Sequence, residues 1–274
     1  MNFLSQIIDQ KRRRVETAKL SVSPEVLALM ARRAREAAAP NVLSGALKDE
    51  SEINIIAEFK RKSPSKGEIR AHADPGVITR SYEASGATAV SVLTEEDYFD
   101  GSLDDLRAAR QAVSIPILRK DFIFEEYQVY ESAAAGADAL LLIVAALNDD
   151  TLGRLRSLAE DDLGMDALVE VHTKEEMIRA LELGANLIGV NNRNLATFEV
   201  SLETSVQLAQ IAADKAVLIS ESGIQSVDDI QRLRGLGYRG FLIGENLMKA
   251  SDPGEALEEF TRRRKGAKED SGLV

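Results

Sequence analysis

The stretch that sets the fold is Gly86-Ala-Thr-Ala-Val-Ser-Val-Leu93, because its pattern occurs four times in the chain. A glycine is followed by a small or polar residue and then by an apolar run. The other copies begin at Gly136, Gly184 and Gly237, so successive glycines lie 50, 48 and 53 residues apart. Each glycine follows an amphipathic stretch, where a helix needs a residue that tolerates positive φ. The apolar runs, too short for helices, indicate buried parallel strands.

Four more apolar runs lie between these copies: Ile53–Phe59, Ile115–Leu118, Ala167–Val171 and Ala216–Ile219. The eight runs alternate with helical patterns, the last of which covers Asp252–Arg264. Alternating strands and helices pair in parallel through right-handed crossovers. Eight such units predict an α/β fold, a (β/α)8 TIM barrel. An open doubly wound sheet is the alternative, but no glycine-rich phosphate fingerprint follows the first strand.

Residues 1–50 do not fit the repeat and predict an N-terminal helical extension packed on the barrel. Two helices are expected, over Phe3–Leu20 and Pro24–Ala38. Ser23 before Pro24 is typical of a helix start. The chain is thus predicted to be a single domain, residues 1–274, with the extension over 1–50, the barrel over 51–262 and a tail over 263–274.

The composition excludes several classes of function. The chain has 274 residues, no cysteine, two histidines and a formal net charge of −11. Without cysteine there is no disulfide, thiol nucleophile or thiolate metal site, and two histidines make a zinc site improbable. An acidic chain is a poor nucleic-acid binder. The longest uncharged apolar run, Ala139–Leu147, is too short to span a membrane, and the N-terminus does not resemble a signal peptide. We therefore expect a cytoplasmic protein without metal, membrane or nucleic-acid partner.

Charged side chains follow the predicted strands, at the end of the barrel where active sites of this fold lie. Glu58 and Lys60 are two residues apart, so both can face the barrel mouth while Phe59 packs outward. Later strands end in the polar residues Lys120, Glu170, Asn191, Arg193, Glu221 and Ser222. Burying such charges is costly unless they pair or serve a purpose. The set predicts a catalytic rim, with a network of salt bridges as the alternative.

Two glycine-containing turns follow the seventh and eighth strands. Ser222-Gly223 and Gly244-Glu245-Asn246 stand where this fold usually binds phosphate, with backbone N–H groups facing the anion. Glycine lets the backbone approach such an anion closely. The pair predicts a phosphate site, and ordinary turn glycines are the alternative.

Two further features have both a structural and a functional interpretation. The basic run Lys11–Arg14 is typical of a solvated helix face, with a local anion patch as the alternative. His172 comes two residues after Glu170 and can share its face. It is either a base or a hydrogen-bonded structural histidine.

The segment Ile55–Ile69 contains Glu58-Phe-Lys60-Arg-Lys-Ser63-Pro-Ser65, which resembles the Glu-x-Lys-x-x-Ser-Pro-Ser signature of the indole-3-glycerol-phosphate synthase family. The resemblance continues in Leu118–Phe122, Leu168–Val171, Gly189–Leu195, Ser220–Ile224 and Leu242–Met248. It implies ring closure, decarboxylation and dehydration of 1-(2-carboxyphenylamino)-1-deoxyribulose 5-phosphate. The products would be indole-3-glycerol phosphate, CO2 and water, in tryptophan biosynthesis and with no cofactor.

The resemblance also implies residue roles. Lys120 would be the general acid of ring closure and Glu170 a base in the dehydration. Lys60 would bind the anthranilate carboxylate and can also donate a proton. Glu58 and Asn191 would orient these groups and the substrate hydroxyls, and Glu221 and Ser222 would line the site. The residues implied at the phosphate are Arg193, Gly223, Gly244 and Glu245. Ser63 would lie in a loop that closes over the substrate. Asn194 and Asn246 depart from the family pattern, where Asp and a small residue are usual.

Two other functions are consistent with a phosphate-binding barrel. Phosphoribosylanthranilate isomerase is one, but that family relies on a catalytic cysteine, and this chain has no cysteine. A non-catalytic barrel that binds a phosphometabolite or a partner protein is the other. It predicts tight binding without turnover.

Overall fold

Eight parallel strands close into a barrel in the computed structural model, which describes residues 3–195, 197–212 and 215–261. Neighbours in the barrel are neighbours in the chain, and the last strand closes onto the first. This confirms the predicted (β/α)8 barrel over the open sheet. The strands are β1 Asn54–Phe59, β2 Ala89–Leu93, β3 Ile117–Lys120, β4 Ala139–Ile143, β5 Asp166–Val171, β6 Leu187–Asn191, β7 Val217–Glu221 and β8 Tyr238–Ile243.

Side chains alternate along each strand between two cores. On β1, Ile56 packs in a cluster inside the barrel, whereas Ala57 and Phe59 pack outward among the helices. The outward position of Phe59 confirms the prediction from its spacing. The alternation leaves Glu58 on the inner face, at the carboxyl end of the barrel.

The N-terminal extension contains three helices: α1 Phe3–Ser21, α2 Pro24–Arg35 and α3 Val42–Ala46. The predicted start of α2 is confirmed, because the Ser23 side chain accepts a hydrogen bond from the Val26 N–H. Helix α2 ends at Arg35, three residues before the predicted Ala38. Helix α3 was not predicted, since its five residues are too few to show a helical period.

The extension contacts both ends of the barrel. Leu43 of α3 and Leu47 after it pack into the inner cluster at the amino-terminal end of the strands. There the Asp166 carboxylate at the start of β5 accepts the backbone N–H groups of Leu43 and Ser44, at 2.9 and 3.2 Å. Helix α3 therefore closes the lower end of the barrel.

Helix α1 lies at the opposite end, and Lys11 fastens it there. The Lys11 side chain is only 3% exposed, and its Nζ lies 2.6 Å from Glu96 Oε2 and 2.8 Å from Asp121 Oδ1. Arg12 and Arg13 are exposed, as expected of a solvated helix face. That interpretation is wrong for Lys11, because its partner Asp121 is 110 residues away in the chain.

The remaining helices follow the strands and end as the repeat predicts. Gly86, Gly136, Gly184 and Gly237 have φ values of 87°, 92°, 75° and 97° and lie close after helix ends. The left-handed conformation required there explains why the repeat keeps a glycine. These helices are α4 Pro75–Ala84, α5 Leu103–Ala112, α6 Glu126–Ala135, α7 Asp149–Ser157, α8 Lys174–Glu182, α9 Glu203–Ala212, α10 Val227–Arg234, α11 Glu245–Lys249 and α12 Pro253–Thr261.

The predicted tail, residues 263–274, and the predicted last barrel residue, Arg262, lie outside the described residues. The division into extension, barrel and tail therefore stays a prediction at that end. Within the part that the structure describes, each helix is too short or too polar to cross a lipid bilayer.

Candidate active site

A cavity of about 420 Å³ opens at the carboxyl ends of the strands, the end at which α1 lies. Each of the twelve residues predicted from the sequence as catalytic or substrate-binding lines it. They are Glu58, Lys60, Ser63, Lys120, Glu170, Asn191, Arg193, Glu221, Ser222, Gly223, Gly244 and Glu245.

The inner face of the barrel presents polar residues of this cavity at the carboxyl ends of neighbouring strands. Glu170 pairs in register with Ile143 on one side and Gly189 on the other, and Asn191 pairs with Glu221. The side chains of Asn191 and Glu221 lie at the last residue of their strands, and that of Glu170 lies one residue before the end of β5. Strand alternation and parallel register bring these inward side chains together.

Lys120, the last residue of β3, lies between two carboxylates. Its Nζ is 2.8 Å from Glu221 Oε2 and 3.3 Å from Glu170 Oε2. Burial alone would lower the pKa of Lys120, but the charges of Glu221, Glu170 and Glu58 outweigh burial and raise it. Lys120 is therefore an ammonium that carries a proton over the physiological pH range.

The two partners of Lys120 differ in acidity. Burial raises the pKa of Glu221 to about 7, despite the nearby Lys120 charge. Burial also acts to raise the pKa of Glu170, but Lys120 and His172 outweigh it, so that this pKa is lowered. Neighbouring carboxyl groups whose pKa values are pushed apart can take different roles in proton transfer.

A glycine on the neighbouring strand makes room for Glu221. A Cβ atom on Gly189 would lie 2.0 Å from Glu221 Oε1, so no larger residue fits at position 189 without moving that carboxylate. Glu221 Oε1 is buried and, within the described residues, has no hydrogen-bond partner. A buried acceptor left unpaired is costly, and such groups are candidates for catalytic use.

A second cation–carboxylate pair lies on the first strand and the loop after it. Lys60 Nζ is 2.6 Å from Glu58 Oε1. Gly244 lies against this pair, and a Cβ atom there would come within 2.4 Å of Glu58 Oε1. Ser63 follows on a two-stranded hairpin, Lys62–Ser63 with Gly67–Glu68, and its buried Oγ has no hydrogen-bond partner among the described residues.

The guanidinium of Arg193 contacts the turn of this hairpin. Its Nη1 donates to Ser65 Oγ at 3.3 Å, and its Nη2 lies 3.6 Å from Glu245 Oε2. The turn after β7 contains Ser222 and Gly223 with φ values of 65° and 83°. A serine in the left-handed region is uncommon, and such strain concentrates at functional sites.

The two departures from the family pattern lie next to this region. Asn194 Oδ1 accepts the backbone N–H of Thr197 at 3.0 Å, which closes the turn after Arg193. Asn246 Nδ2 donates to the Ile224 carbonyl at 3.0 Å. Each of these amides makes a hydrogen bond to a backbone group of a loop at the cavity.

The apolar wall of the cavity was missed by sequence reasoning. Phe3, Leu4 and Ile7 of α1 line it. The Phe3 ring makes edge-on contacts with Tyr98 and Phe198, at centroid distances of 5.2 and 5.4 Å. The helical spacing of Leu4 and Ile7 was visible in the sequence, but nothing local indicated that this face packs over the barrel mouth.

One group of acidic side chains has the spacing of metal ligands in the described part of the chain: Glu95, Glu96 and Asp97. The Glu95 carboxylate accepts the backbone N–H groups of Asp97 and Tyr98. Glu96 pairs with Lys11, and Asp97 pairs with Arg14 at 2.6 Å. The structure thus already provides cations and N–H donors for these carboxylates.

Comparison with known proteins agrees with this geometry. The model of the family described as indole-3-glycerol phosphate synthase matches residues 4–260. An indole-3-glycerol phosphate synthase of Carboxydothermus hydrogenoformans is 46% identical over 260 residues, which cover 93% of this chain and 98% of the relative. Another, of a Nocardioides species, is 53% identical over 208 residues, covering 76% of this chain and 80% of the relative.

Among solved structures, a 3-hexulose-6-phosphate synthase superposes with a TM-score of 0.61 at 15% identity. The match covers 76% of this chain and 98% of that one. This likeness concerns the fold alone. The family match and the two relatives go further, and the chain belongs to the indole-3-glycerol phosphate synthase family.

Proposed function

We propose that this chain converts 1-(2-carboxyphenylamino)-1-deoxyribulose 5-phosphate into indole-3-glycerol phosphate, CO2 and water, in tryptophan biosynthesis. The observation that carries the proposal is Lys120, an ammonium only 12% exposed and held within 3.3 Å of two carboxylates whose pKa values are shifted in opposite directions. A reaction that needs proton donors and a base in one cavity requires such a set.

The first step forms the carbon–carbon bond. The aromatic carbon that carries the carboxylate attacks the ribulose ketone, and negative charge develops on the ketone oxygen. The Lys120 ammonium donates its proton to that oxygen as the bond forms. Glu170 and Glu221 keep Lys120 charged, so that the proton is available at neutral pH.

The second step releases CO2, and the electron pair left behind restores the aromatic ring. Before that, the carboxylate has to be held in the cavity, and Lys60 is the cation proposed to bind it. Glu58, 2.6 Å from Lys60 Nζ, orients this ammonium. Lys60 is also a second proton donor.

The third step removes water to form the indole. Glu170 is the proposed base, because the charges of Lys120 and His172 outweigh its burial and lower its pKa, which keeps it ionised. The departing hydroxyl takes a proton from one of the two lysines. Asn191, Glu221 and Ser222 line the cavity beside these groups and orient the substrate hydroxyls.

The substrate phosphate is proposed to bind at the edge formed by β7 and β8. Arg193 contributes the charge, and the backbone N–H groups of Gly223, Gly244 and Glu245 contribute donors. The departures from the family pattern at Asn194 and Asn246 should alter phosphate binding little, because these backbone groups are proposed to make the phosphate contacts. Ser63 lies on the hairpin after β1, which is proposed to close over the bound substrate.

The acidic balance of the chain and the cations that line the cavity support the partner class. We propose a cytoplasmic enzyme that binds a small anionic substrate and neither nucleic acid nor membrane. The excess of acidic residues favours solubility, while Lys60, Lys120 and Arg193 concentrate positive charge where the substrate binds.

The test is direct. The purified protein is mixed with the carboxyphenylamino substrate, and the appearance of indole fluorescence is followed. We expect turnover without added metal or cofactor. A folded protein that gives no fluorescence increase contradicts the proposal, and tight substrate binding without turnover would support a non-catalytic barrel. Turnover of phosphoribosylanthranilate would support the isomerase.

A further inference from the structure

The proposed reaction consumes one proton from solvent in every turnover. The substrate carboxylate is negatively charged and leaves as neutral CO2, while the charge on the phosphate is unchanged. Two donated protons, to the ketone oxygen and to the departing hydroxyl, are offset by only one proton taken up by the base. A proton must therefore enter a largely buried site each time, and the following inference rests on the proposed function.

The structure contains a chain of groups that reaches from Lys120 out of the cavity. Glu170 lies in the middle of this chain: its Oε2 is 3.3 Å from Lys120 Nζ, and its Oε1 is 3.4 Å from His172 Nε2. On the far side of the imidazole, His172 Nδ1 lies 3.4 Å from Glu176 Oε2. The two oxygens of Glu170 thus face two different proton carriers.

His172 is held in this position from outside the barrel. Glu176, in the first turn of α8, accepts the backbone N–H of His172 at 2.6 Å and also contacts its ring. The backbone N–H of Glu176 in turn donates to Thr173 Oγ1, the cap of α8. Glu176 therefore holds the backbone of His172, while Nε2 of the ring lies buried 3.4 Å from Glu170 Oε1, without a hydrogen bond among the described residues.

A second cavity, of about 440 Å³, lies beside the first. His172 and Glu176 line the second cavity and not the first, whereas Glu170 lines the first and not the second. Leu4, Asn191, Arg193 and Leu195 line both. The contact between Glu170 and His172 therefore connects the reaction cavity with a space on the other side of its wall.

We propose that His172 is a proton-relay residue, which delivers to Glu170 the proton that each turnover consumes. The N–H bond at His172 Nε2 breaks and an O–H bond forms on Glu170, which passes the proton to the Lys120 amine. The imidazole that remains is neutral, and its other proton stays on Nδ1, beside Glu176 Oε2. Because Nε2 is buried beside Glu170, the ring then rotates toward the second cavity that His172 lines, takes a proton there from water at Nε2, and returns as the imidazolium.

The charges around His172 suit this role. Burial acts to lower the pKa of His172, but the hydrogen bond with Glu176 and the charges of Glu170, Glu176 and Glu221 outweigh it and raise the pKa above its ordinary value. These groups thus favour the imidazolium form of His172, which is the form that donates a proton. The contacts at 3.4 Å are long for hydrogen bonds, and such contacts often shorten only when substrate binds.

The test removes the imidazole and supplies it again from solution. We expect His172→Ala to lower kcat by about tenfold to a hundredfold. KM should change little, because His172 does not line the substrate cavity. Added imidazole should restore kcat in proportion to the concentration of its protonated form, since the shortened side chain opens a path from the second cavity to Glu170. His72→Ala is the matched control, with unchanged kcat and no response to imidazole.

A second variant separates the relay from a structural role. His172→Gln fills the space without titrating, and we expect it to lower kcat and to resist rescue. We also expect kcat of the wild type to decline at alkaline pH as His172 deprotonates, and the variant to lose this decline. Two outcomes overturn the relay and leave the proposed function intact. In one, His172→Ala keeps the kcat of the wild type. In the other, His172→Ala is folded and slow, but imidazole does not accelerate it. A wild-type protein without turnover overturns the proposed function itself, and the relay with it.

Discussion

The two ends of the barrel bury polar groups in opposite ways. At the amino-terminal end, the Asp166 carboxylate accepts two backbone N–H groups of α3, and Asn54 Nδ2 donates to the Leu47 carbonyl at 3.3 Å and to the Asp49 carbonyl at 3.0 Å. At the carboxyl end, Glu221 Oε1 is buried with no hydrogen bond among the described residues. Strands β1 and β5 thus begin in satisfied polar groups, whereas β7 ends in a carboxylate with an unsatisfied oxygen.

This difference separates stability from function within one fold. A buried polar group that is fully hydrogen-bonded stabilises the structure, whereas an unpaired one costs free energy. The lower end therefore holds α3 in place. The upper end keeps its carboxylates and ammonium groups available for a substrate, at a cost in stability. Substitutions at the two ends should separate into effects on folding and effects on turnover.

The largest effect is expected for Lys120→Ala. The variant lacks the proposed acid of ring closure, and kcat should fall by at least about 10³-fold. The fold should be retained, but the free energy of unfolding should fall, because Glu170 and Glu221 lose the cation that pairs with them. Steady-state fluorescence assays and urea unfolding measure the two quantities.

Lys48→Ala is the control for this experiment, because Lys48 is exposed near the lower end of the barrel. It should keep wild-type kcat. An unchanged kcat in Lys120→Ala would mean that another residue supplies the proton, with Lys60 the next candidate.

Glu170→Gln should have the second largest effect, with kcat lower by about 10²–10³-fold. The amide has the shape of the carboxylate but cannot act as a base, so ring closure and decarboxylation should proceed and dehydration should stop. A single-turnover experiment should show CO2 release without indole fluorescence. Glu182→Gln, at an exposed position on α8, is the control. If Glu170→Gln raises only KM and keeps kcat, Glu170 binds substrate and is not the base.

Asp166→Ala tests the lower end and should affect stability instead of turnover. The change leaves the backbone N–H groups of Leu43 and Ser44 without their acceptor, which should lower the free energy of unfolding by about 2–3 kcal/mol. The kcat of the folded protein should stay at the wild-type value, because Asp166 is at the opposite end of the strand from Glu170.

Asp162→Ala is the matched control, since Asp162 is half exposed and only 3.8 Å from an exposed Arg32. Its effect on stability should stay within about 0.5 kcal/mol. A loss of turnover per folded molecule in Asp166→Ala would contradict the separation of the two ends.

The sequence predicted the upper rim well because strand periodicity is local information. Once the glycine repeat fixed the strands, Glu58, Lys120, Glu170 and Glu221 had to end them on the inner face. The lower end was predicted poorly. Helix α3 is five residues long, and its partner Asp166 lies more than 120 residues away in the chain.

The contacts of α1 were equally hidden, for the same physical reason. Phe3, Leu4 and Ile7 form an apolar face that any surface helix shows, and only tertiary packing decides what it covers. Lys11 lies in a basic run that is typical of a solvated face. Its burial depends on Asp121, whose pKa is held well below its usual value because Lys11 and Arg119 outweigh the effect of burial. Such long-range ion pairs leave no periodic signal.

Glu221→Gln should give the smallest effect. It measures how much free energy of unfolding the protein loses by burying this carboxylate at the carboxyl end of the barrel. Burial raises the pKa of Glu221 to about 7, so the folded state favours the neutral carboxyl. The stability that this preference contributes is fully present below the pKa of the unfolded chain, and it is lost as the pH rises through about 7. The wild type should therefore lose about 2–2.5 kcal/mol more than Glu221→Gln between pH 5 and pH 8.

Urea unfolding of both proteins at the two pH values measures this difference, because His172 and the other titrating groups remain in both and their contributions largely cancel. At pH 8 the variant should be the more stable protein and the slower enzyme. Higher stability together with slower turnover would show that the unsatisfied Glu221 carboxylate lowers stability and is needed for turnover. If the two proteins lose the same free energy between pH 5 and pH 8, Glu221 is ionised at both pH values, and Lys120 offsets its burial as fully as α3 offsets that of Asp166.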